Sequence, residues 1–210
     1  LTTELRRAGA EGVVEALALG LRGRWRVVVA SLTSVGAGDG AVADDLRAAG
    51  VEVRCLRLAG KADLLRGAWR VLRLVRELRP DVLHAHLVHA ALAARVLGRL
   101  AGARRVVTTV HVVERRQPPL RRLLERLTAR LDDRTTAVSA AVADHARAAL
   151  GVRAPVVVEN GIDLQRFAPP ADPRAARADA RAALGLHPDA RVVGAVARLT
   201  AQKGLDDLLR

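Results

Sequence analysis

Residues 81–110 read DVLHAHLVHAALAARVLGRLAGARRVVTTV, and their pattern decides the predicted fold. The strand-like stretches at 81–86 and 105–110 flank an amphipathic helical stretch at 90–100. A strand, a helix and a second strand at this spacing predict two parallel strands of one sheet.

The same alternation continues on both sides of this stretch. Further strands are predicted at residues 1–5, 25–32, 51–58, 135–138 and 156–159, and further helices at 10–21, 41–49, 63–78, 120–131 and 140–150. Continuous apolar strands such as VVVA fit a sheet that is covered on both faces. We therefore predict an α/β fold with a doubly wound parallel sheet.

The composition excludes several classes of protein. Half of the 210 residues are hydrophobic, and there is a single cysteine, Cys55. These features exclude a mainly disordered chain and a disulfide scaffold. No uninterrupted apolar run approaches the roughly 20 residues of a membrane-spanning helix. The net charge of +13 favours phosphates or anionic lipid surfaces as partners. Nucleic acid is disfavoured, because aromatic residues are too few for base stacking.

A change of composition predicts two domains. Residues 1–166 form the first, and residues 167–189 form a proline-rich linker with a polar helix. Residues 190–210 contain a predicted strand at 190–197 and the start of a helix, which together make the first βα unit of a second domain. One such unit cannot bury its own sheet face, so we expect the sequence to be cut at both ends.

Polar residues interrupt the apolar pattern where strands are predicted to end. His84 and His86 end one strand, His111 follows the next, and Asn160 and Asp163 follow the last strand of the first domain. Ligands of open α/β sheets bind at the carboxyl ends of the strands. An imidazole at His111 can donate a hydrogen bond to a sugar hydroxyl or a phosphate. The alternative is a histidine that makes its hydrogen bonds within the protein at the end of the strand and binds no ligand.

His84 and His86 lie two residues apart and project from the same strand face, so they can also ligate a metal ion. That hypothesis needs further ligands from other strand ends, such as His111 and Asp163, and no CxxC or HExxH motif supports it. We favour structural or substrate contacts for these histidines, with a metal-dependent hydrolase as the alternative function.

Two loops predict anion binding. The loop AGAEG at 8–12 is small enough to let the backbone N–H groups of a helix N-terminus approach an anion, or it is simply a tight turn. Arg198 and Lys203 flank a predicted strand-to-helix loop, and both side chains bind phosphate oxygens. We interpret this second loop as a diphosphate site rather than a solvated basic loop.

The stretch at 120–131 predicts a basic amphipathic helix. Its leucines share one side, and arginines surround them. Such a helix either packs its leucines in the core or lies on an anionic membrane, and we expect packing. The membrane interpretation leads to a second alternative function, a non-enzymatic module that binds anions or membranes.

Several motifs now match a known family in order. They are AGAEG (8–12), RPDVLHAHLVHA (79–90), VVTTVH (106–111), LDDRTTAVSAAVA (131–143), VVVENGIDLQRFAP (156–169) and ARLTAQKGLDDLLR (197–210). The chain resembles the retaining glycosyltransferases of family 4, which have the GT-B fold of two facing Rossmann-like domains. Ala8, Gly12 and Ala197 depart from the family's usual residues at their positions.

The resemblance implies roles for single residues. Gly9 matches the loop that approaches the phosphates or the transferred sugar of the donor, and His111 matches the histidine near the reaction centre. Arg198 and Lys203 match the pair that grips the donor diphosphate and stabilises the departing charge without a required metal or cofactor. His86 and the segment Asn160-Gly161-Ile162-Asp163 are expected to line the cleft.

The resemblance also implies partners, a UDP- or GDP-sugar donor and a hydroxyl acceptor on a glycan, lipid or small molecule. The basic residues add an anionic membrane surface to the expected partners, and the scarcity of aromatic residues disfavours nucleic acid. We expect a cytoplasmic protein, peripheral at the inner face of the membrane. The family's pair of acidic residues lies beyond Arg210, so we expect this chain alone to lack normal transferase activity.

Overall fold

Helices and strands alternate along the chain, as the pattern predicts. The computed structural model describes residues 1–36, 38–58, 63–114, 117–165, 167–197, 199–200 and 203–210. The chain divides into two compact units, Leu1–Gly161 and Ile162–Arg210.

The elements of the first unit are, in chain order, α1 (Gly9–Leu21), β1 (Val28–Ser31), α2 (Ala41–Ala48), β2 (Glu52–Cys55), α3 (Leu64–Leu78), β3 (Val82–His86), α4 (Val88–Ala93), β4 (Arg105–Val110), α5 (Pro119–Thr128), β5 (Arg134–Ala137), α6 (Ala140–Leu150) and β6 (Val156–Val157). Helix α4 continues as a π-helical segment over Ala94–Gly98, and α5 as a 3₁₀ turn over Ala129–Leu131. The second unit contains α7 (Pro173–Ala183) and α8 (Leu205–Leu208).

The strands form parallel ladders, β1 with β2 and then β3, β4, β5 and β6 in that order. Residues 1–3 join the two ladders. The amide of Thr2 donates to the carbonyl of Ala30 at 2.9 Å, and the amide of His86 donates to the carbonyl of Leu1 at 2.8 Å. The chain start therefore lies between β1 and β3. The direction of strand order reverses at this point, which is where doubly wound sheets bind ligands.

Apolar side chains cover both faces of this sheet. On one face, Val29 of β1 packs with Val14 of α1 and Leu46 of α2. A separate cluster joins Ala85 of β3 to residues of α3 and α4. Helices on opposite faces bury the apolar side chains of the strands on both sides of the sheet, so the doubly wound parallel architecture is confirmed.

A buried polar network holds β4 against β5 and the π-helical segment. Arg95 donates from Nε and Nη2 to the two carboxylate oxygens of Asp132, at 2.9 and 2.7 Å. Thr108 and Thr135 also donate to Asp132, at 2.6 and 2.9 Å. Both charged side chains are almost fully buried. Bidentate geometry and extra donors compensate for the desolvation that burying two charges costs.

The second unit differs from its prediction. Residues 190–197 form no strand, and the described part of residues 162–210 contains no strand at all. The apolar pattern of ARVVGAVA is that of a strand, but a strand needs a neighbour to take up its hydrogen bonds. Without such a neighbour the pattern leaves these residues exposed and irregular.

Helix α5 also differs from its prediction. Leu120, Leu123 and Leu127 are 69%, 51% and 58% exposed, whereas Glu125 is buried. The expectation that these leucines pack in the core is therefore wrong. Within the described residues, no helix is long and apolar enough to cross a membrane.

Candidate functional site

The carboxyl ends of β3 and β4 bring His84, His86 and His111 together. In the parallel register, His84 lies beside Val107 and His86 beside Thr109, and His111 directly follows β4. Residues paired across a parallel ladder share a sheet face, so His84 and His86 lie on the face that also carries Thr109. The predicted clustering of polar residues at this edge is found for these three histidines.

His86 and His111 contact each other through their rings. Nδ1 of His86 lies 3.0 Å from Nε2 of His111, which is a hydrogen-bonding distance. The ring of His84 lies 4.2 Å from that of His86, measured between centroids. The three imidazoles therefore form one continuous group at the switch point of the sheet.

A second set of hydrogen bonds anchors His84 across three strands. Nε2 of His84 lies 2.7 Å from Oγ1 of Thr109, and this hydroxyl lies 2.7 Å from Oγ1 of Thr136 on β5. The sequence analysis missed both threonines, because a threonine in a strand is ordinarily a β-former. The signal that identifies them is the register, which places Thr109 beside Thr136.

Burial lowers the pKa of all three histidines. The pKa of His84 falls to about 4 and that of His86 to about 2, with burial as the largest cause in each. Burial also lowers the pKa of His111 below its ordinary value of 6.5. At neutral pH the group is therefore uncharged, and in the hydrogen bond between His86 and His111 one ring donates and the other accepts.

This pairing determines what His111 offers to a ligand. Its Nε2 is engaged by His86, and no described residue forms a hydrogen bond with its Nδ1. If Nδ1–H of His86 donates, His111 carries its proton on Nδ1 and presents a donor. If Nε2–H of His111 donates instead, Nδ1 presents an acceptor. The protonation of His86 thus sets the hydrogen-bonding character of His111.

The backbone after His86 turns sharply. Leu87 has φ 70° and ψ 157°, a conformation that residues other than glycine rarely adopt. Backbone outliers of this kind cost about 1–3 kcal/mol and occur preferentially at functional sites. The turn starts α4 immediately after His86 and so keeps this histidine at the edge of the sheet.

The glycine loop lies on the other side of the switch point. Helix α1 begins at Gly9, and its cap residue Ala8 is extended and has no side-chain hydrogen bond to the helix. An added Cβ at Gly9 would meet no heavy atom within 4 Å. The first N–H groups of α1 thus lack a side-chain cap, and the backbone at Gly9 borders open space.

Glu11, in the first turn of α1, is a candidate that the sequence analysis missed. It is only 4% exposed, and burial is the largest cause that raises the pKa of its carboxyl group. Acidic residues in a first helical turn usually interact with the helix dipole from solvent, so the sequence gives no signal of this burial.

The remaining predicted residues lie apart from this group or outside the described residues. Asn160 and Gly161 follow β6 and are exposed. Asp163 accepts a hydrogen bond from the amide of Gln165 at 2.9 Å, which makes a local turn. Lys203 is exposed just before α8. Arg198 lies outside the described residues, so the structure does not test its predicted role.

The arrangement of the three histidines also bears on the metal site that was considered for His84 and His86. In the part of the chain that the structure describes, no group of three or more His, Cys, Asp or Glu residues is placed to hold a metal ion. The nitrogens of His86 and His111 that face each other are joined by their hydrogen bond.

Solved structures with a similar fold are known. Two are crystal structures of Anabaena Alr3699/HepE, one in complex with UDP and one in complex with UDP and glucose. Each is 20% identical to this chain with a TM-score of 0.67, and the matches cover 88% and 87% of this chain and 48% of the Anabaena chain. A glycosyltransferase from Rickettsia africae ESF-5 is 16% identical, with a TM-score of 0.75, and the match covers 97% of this chain and 53% of that one.

The chain thus spans about half the length of these solved structures. At such identities the likeness shows a shared fold. Comparison with curated proteins gave no match. The model of one protein family, Glycosyltransferase Family 4, matches residues 7–166, which include the glycine loop, the histidine group and all six strands of the sheet. The chain therefore belongs to Glycosyltransferase Family 4.

Proposed function

We propose that the full-length protein transfers a sugar from a nucleoside diphosphate donor to a hydroxyl acceptor, with retention of the anomeric configuration. In this proposal the unit Leu1–Gly161 supplies the acceptor-side domain. The observation that carries the proposal is the uncharged His86–His111 pair at the switch point of a family 4 fold.

The histidine group suits a contact to a sugar. Sugars present hydroxyl groups, which both donate and accept hydrogen bonds, and a neutral imidazole can serve either role. His111 has one ring nitrogen engaged by His86 and the other directed to no described residue. We assign Nδ1 of His111 as the contact to a hydroxyl of the transferred sugar or of the acceptor. His86 holds the ring in place and couples the tautomer of His111 to its own.

The donor class is supported by the solved relatives. The Anabaena protein was crystallised with UDP and with UDP and glucose. We propose a UDP- or GDP-sugar for this protein, with the diphosphate held by Arg198 and Lys203. Arg binds two phosphate oxygens through its planar fork, and Lys adds a point charge.

These two side chains would also act in the chemical step. When the bond between the sugar and the diphosphate breaks, negative charge develops on the departing phosphate. Fixed cations stabilise that charge more in the transition state than in the bound donor, which lowers the barrier. Gly9 contributes through its backbone, because Ala8 gives the start of α1 no side-chain cap and an added Cβ at Gly9 would meet only open space, which leaves room for an anion.

The test is sugar transfer by the full-length protein, assayed with UDP- and GDP-sugars and with determination of the anomer formed. We expect a product with the donor's configuration, and we expect His111→Ala to reduce turnover by a factor of about 100 or more. His145→Ala, a histidine replacement on α6, serves as the matched control. An inverted product would refute retention, and full activity of His111→Ala would refute the role given to His111.

A further inference from the structure

Helix α5 presents an apolar surface to its surroundings. We call the side formed by five leucines the leucine face; its members are Leu120, Leu123, Leu124, Leu127 and Leu131, the last in the 3₁₀ turn. Every member is at least 38% exposed. Spacings of three and four residues put all five on one side of the helix. An exposed apolar stripe of this length marks an interaction site in a folded protein.

Burial identifies the opposite side of the helix as the one that faces the protein. Glu125 is buried, and Arg121 donates from Nε to its carboxylate at 3.1 Å. Arg121 also pairs with Glu114, which precedes the helix. The side of α5 that faces the protein is therefore polar, and its outward side is apolar.

A row of arginines borders the leucine face. Arg122, Arg126 and Arg130 follow one another at intervals of four residues, so they form a line along one edge of it. Arg126 and Arg130 form no ion pair or hydrogen bond with any described residue. This differs from Arg47 and Arg99, which have carboxylate partners. The unpaired charges are thus available to an external anion.

The row and the leucines meet at an open surface pocket of about 410 Å³, lined by Leu123, Arg126, Leu127, Arg130 and Gly151. Apolar and cationic groups therefore alternate around one concavity. An anionic lipid offers the matching chemistry, because its phosphate and its acyl chains lie a few ångströms apart.

We propose that α5 docks the protein onto an anionic membrane, with the leucine face among the acyl chains and the arginine row at the phosphate headgroups. A second copy of the chain is a poorer occupant of this surface. An antiparallel isologous contact through the leucine face would bring the two arginine rows side by side, and like charges repel. The proposal does not depend on sugar transfer, and its test uses no donor.

The test is co-flotation of the full-length protein with vesicles of phosphatidylcholine alone or mixed with phosphatidylglycerol. We expect binding only to the mixed vesicles. Arg126→Gln combined with Arg130→Gln should weaken binding roughly thirty-fold, because each arginine near an anionic surface contributes about a factor of five. Leu123→Gln combined with Leu127→Gln should also abolish flotation.

Matched controls lie in the second unit. Arg174→Gln with Arg177→Gln removes the same charge from α7, and Leu164→Gln with Leu184→Gln removes two leucines that are likewise exposed. Both control pairs should float like the parent. Melting temperatures of the α5 variants should be unchanged, since the replaced side chains are exposed.

Three results would overturn the proposal. One is no flotation of the parent at low salt, and another is flotation that the α5 variants share in full. The third is a leucine face that the rest of the chain or a second copy already covers in the absence of vesicles. A thiol reagent that fails to label Leu127→Cys in a Cys55→Ser background would show a cover from the rest of the chain. If the parent is a dimer and the leucine variants are monomers, a second copy of the chain covers the leucine face.

Discussion

Nδ1 of His86 lies 3.0 Å from Nε2 of His111, so the end of β3 and the residue after β4 are joined by one hydrogen bond between two uncharged imidazoles. Neither residue is a neighbour of the other in sequence. Their contact depends on the parallel register of the two strands, and it positions His111 and couples its tautomer to that of His86.

The first prediction concerns His86 as a positioning residue. His86→Ala removes the partner of Nε2 and frees the ring of His111 to rotate and change tautomer. We expect kcat of the full-length protein to fall about tenfold or more while KM for the donor stays nearly unchanged. His86→Asn, which keeps a polar side chain of shorter reach, should retain more activity than His86→Ala. Equal kcat in the parent and in His86→Ala would contradict the role.

The second prediction concerns the diphosphate grip. Arg198→Ala and Lys203→Ala should each lower turnover by a factor of about 100 or more, because each removes a fixed charge from the departing phosphate. Arg174→Ala on α7 makes the same change of charge in the same unit and should leave turnover unchanged. Wild-type rates in both Arg198→Ala and Lys203→Ala would show that the diphosphate is held elsewhere.

The third prediction separates ligand approach from stability at Gly9. An added methyl group meets no protein atom there, so Gly9→Ala should not lower the melting temperature. The same methyl group would occupy the space into which a ligand approaches the start of α1, so KM for the donor or acceptor should rise several-fold. Gly20→Ala, also in α1 and also facing open space, is the control; it should leave KM unchanged and should not lower the melting temperature. An unchanged KM in Gly9→Ala would remove Gly9 from the site.

The fourth prediction is a loss of stability in acid. Burial keeps His84 and His86 neutral in the folded state down to pKa values of about 4 and about 2, whereas an unfolded histidine takes up its proton near its ordinary pKa of 6.5. Between pH 6.5 and about 4 the unfolded state thus binds more protons, and the free energy of unfolding falls as the pH falls. The slope is about 1.4 kcal/mol per pH unit for each histidine.

Urea unfolding at several pH values between 7 and 4 measures this slope. The double variant His84→Gln with His86→Gln should show a flatter dependence. A parent slope that survives in the double variant would assign the acid sensitivity to other groups.

The fifth prediction concerns the buried ion pair. Asp132→Ala leaves the guanidinium of Arg95 buried without its partner and also frees the hydroxyls of Thr108 and Thr135. The free energy of unfolding should fall by about 3–5 kcal/mol. Asp81→Ala, which breaks the exposed pair with Arg104, should cost less than about 1 kcal/mol. Similar losses in the two variants would mean that burial does not set the cost.

The hydrophobic periodicity of the sequence predicted most helices and strands of the first unit, because each of these elements has its own periodicity. The strand predicted at 51–58 is shorter in the structure, Glu52–Cys55, although the amides of Leu56 and Leu58 still donate to the carbonyls of Ser31 and Leu32. The strand predicted at 190–197 is absent, because pairing is a property of a neighbour and not of the segment itself.

Helix α5 shows a second limit. The spacing of its leucines correctly predicts that they share one side, but periodicity does not say which side faces the protein. In the structure the buried side is the one that carries Glu125, which Arg121 pairs with inside the helix. The candidate site shows the same limit. The positions of His86 and His111 at strand ends can be predicted from the sequence, but their hydrogen bond depends on the register between β3 and β4, which periodicity does not predict.

The most direct test of the central claim is a calorimetric titration of the full-length protein with UDP and with GDP, and with the corresponding sugar nucleotides. The account predicts saturable binding of one nucleotide class, weakened at least tenfold by Arg198→Ala and unchanged by Arg174→Ala. Absence of binding for both classes by a folded, full-length protein would contradict it.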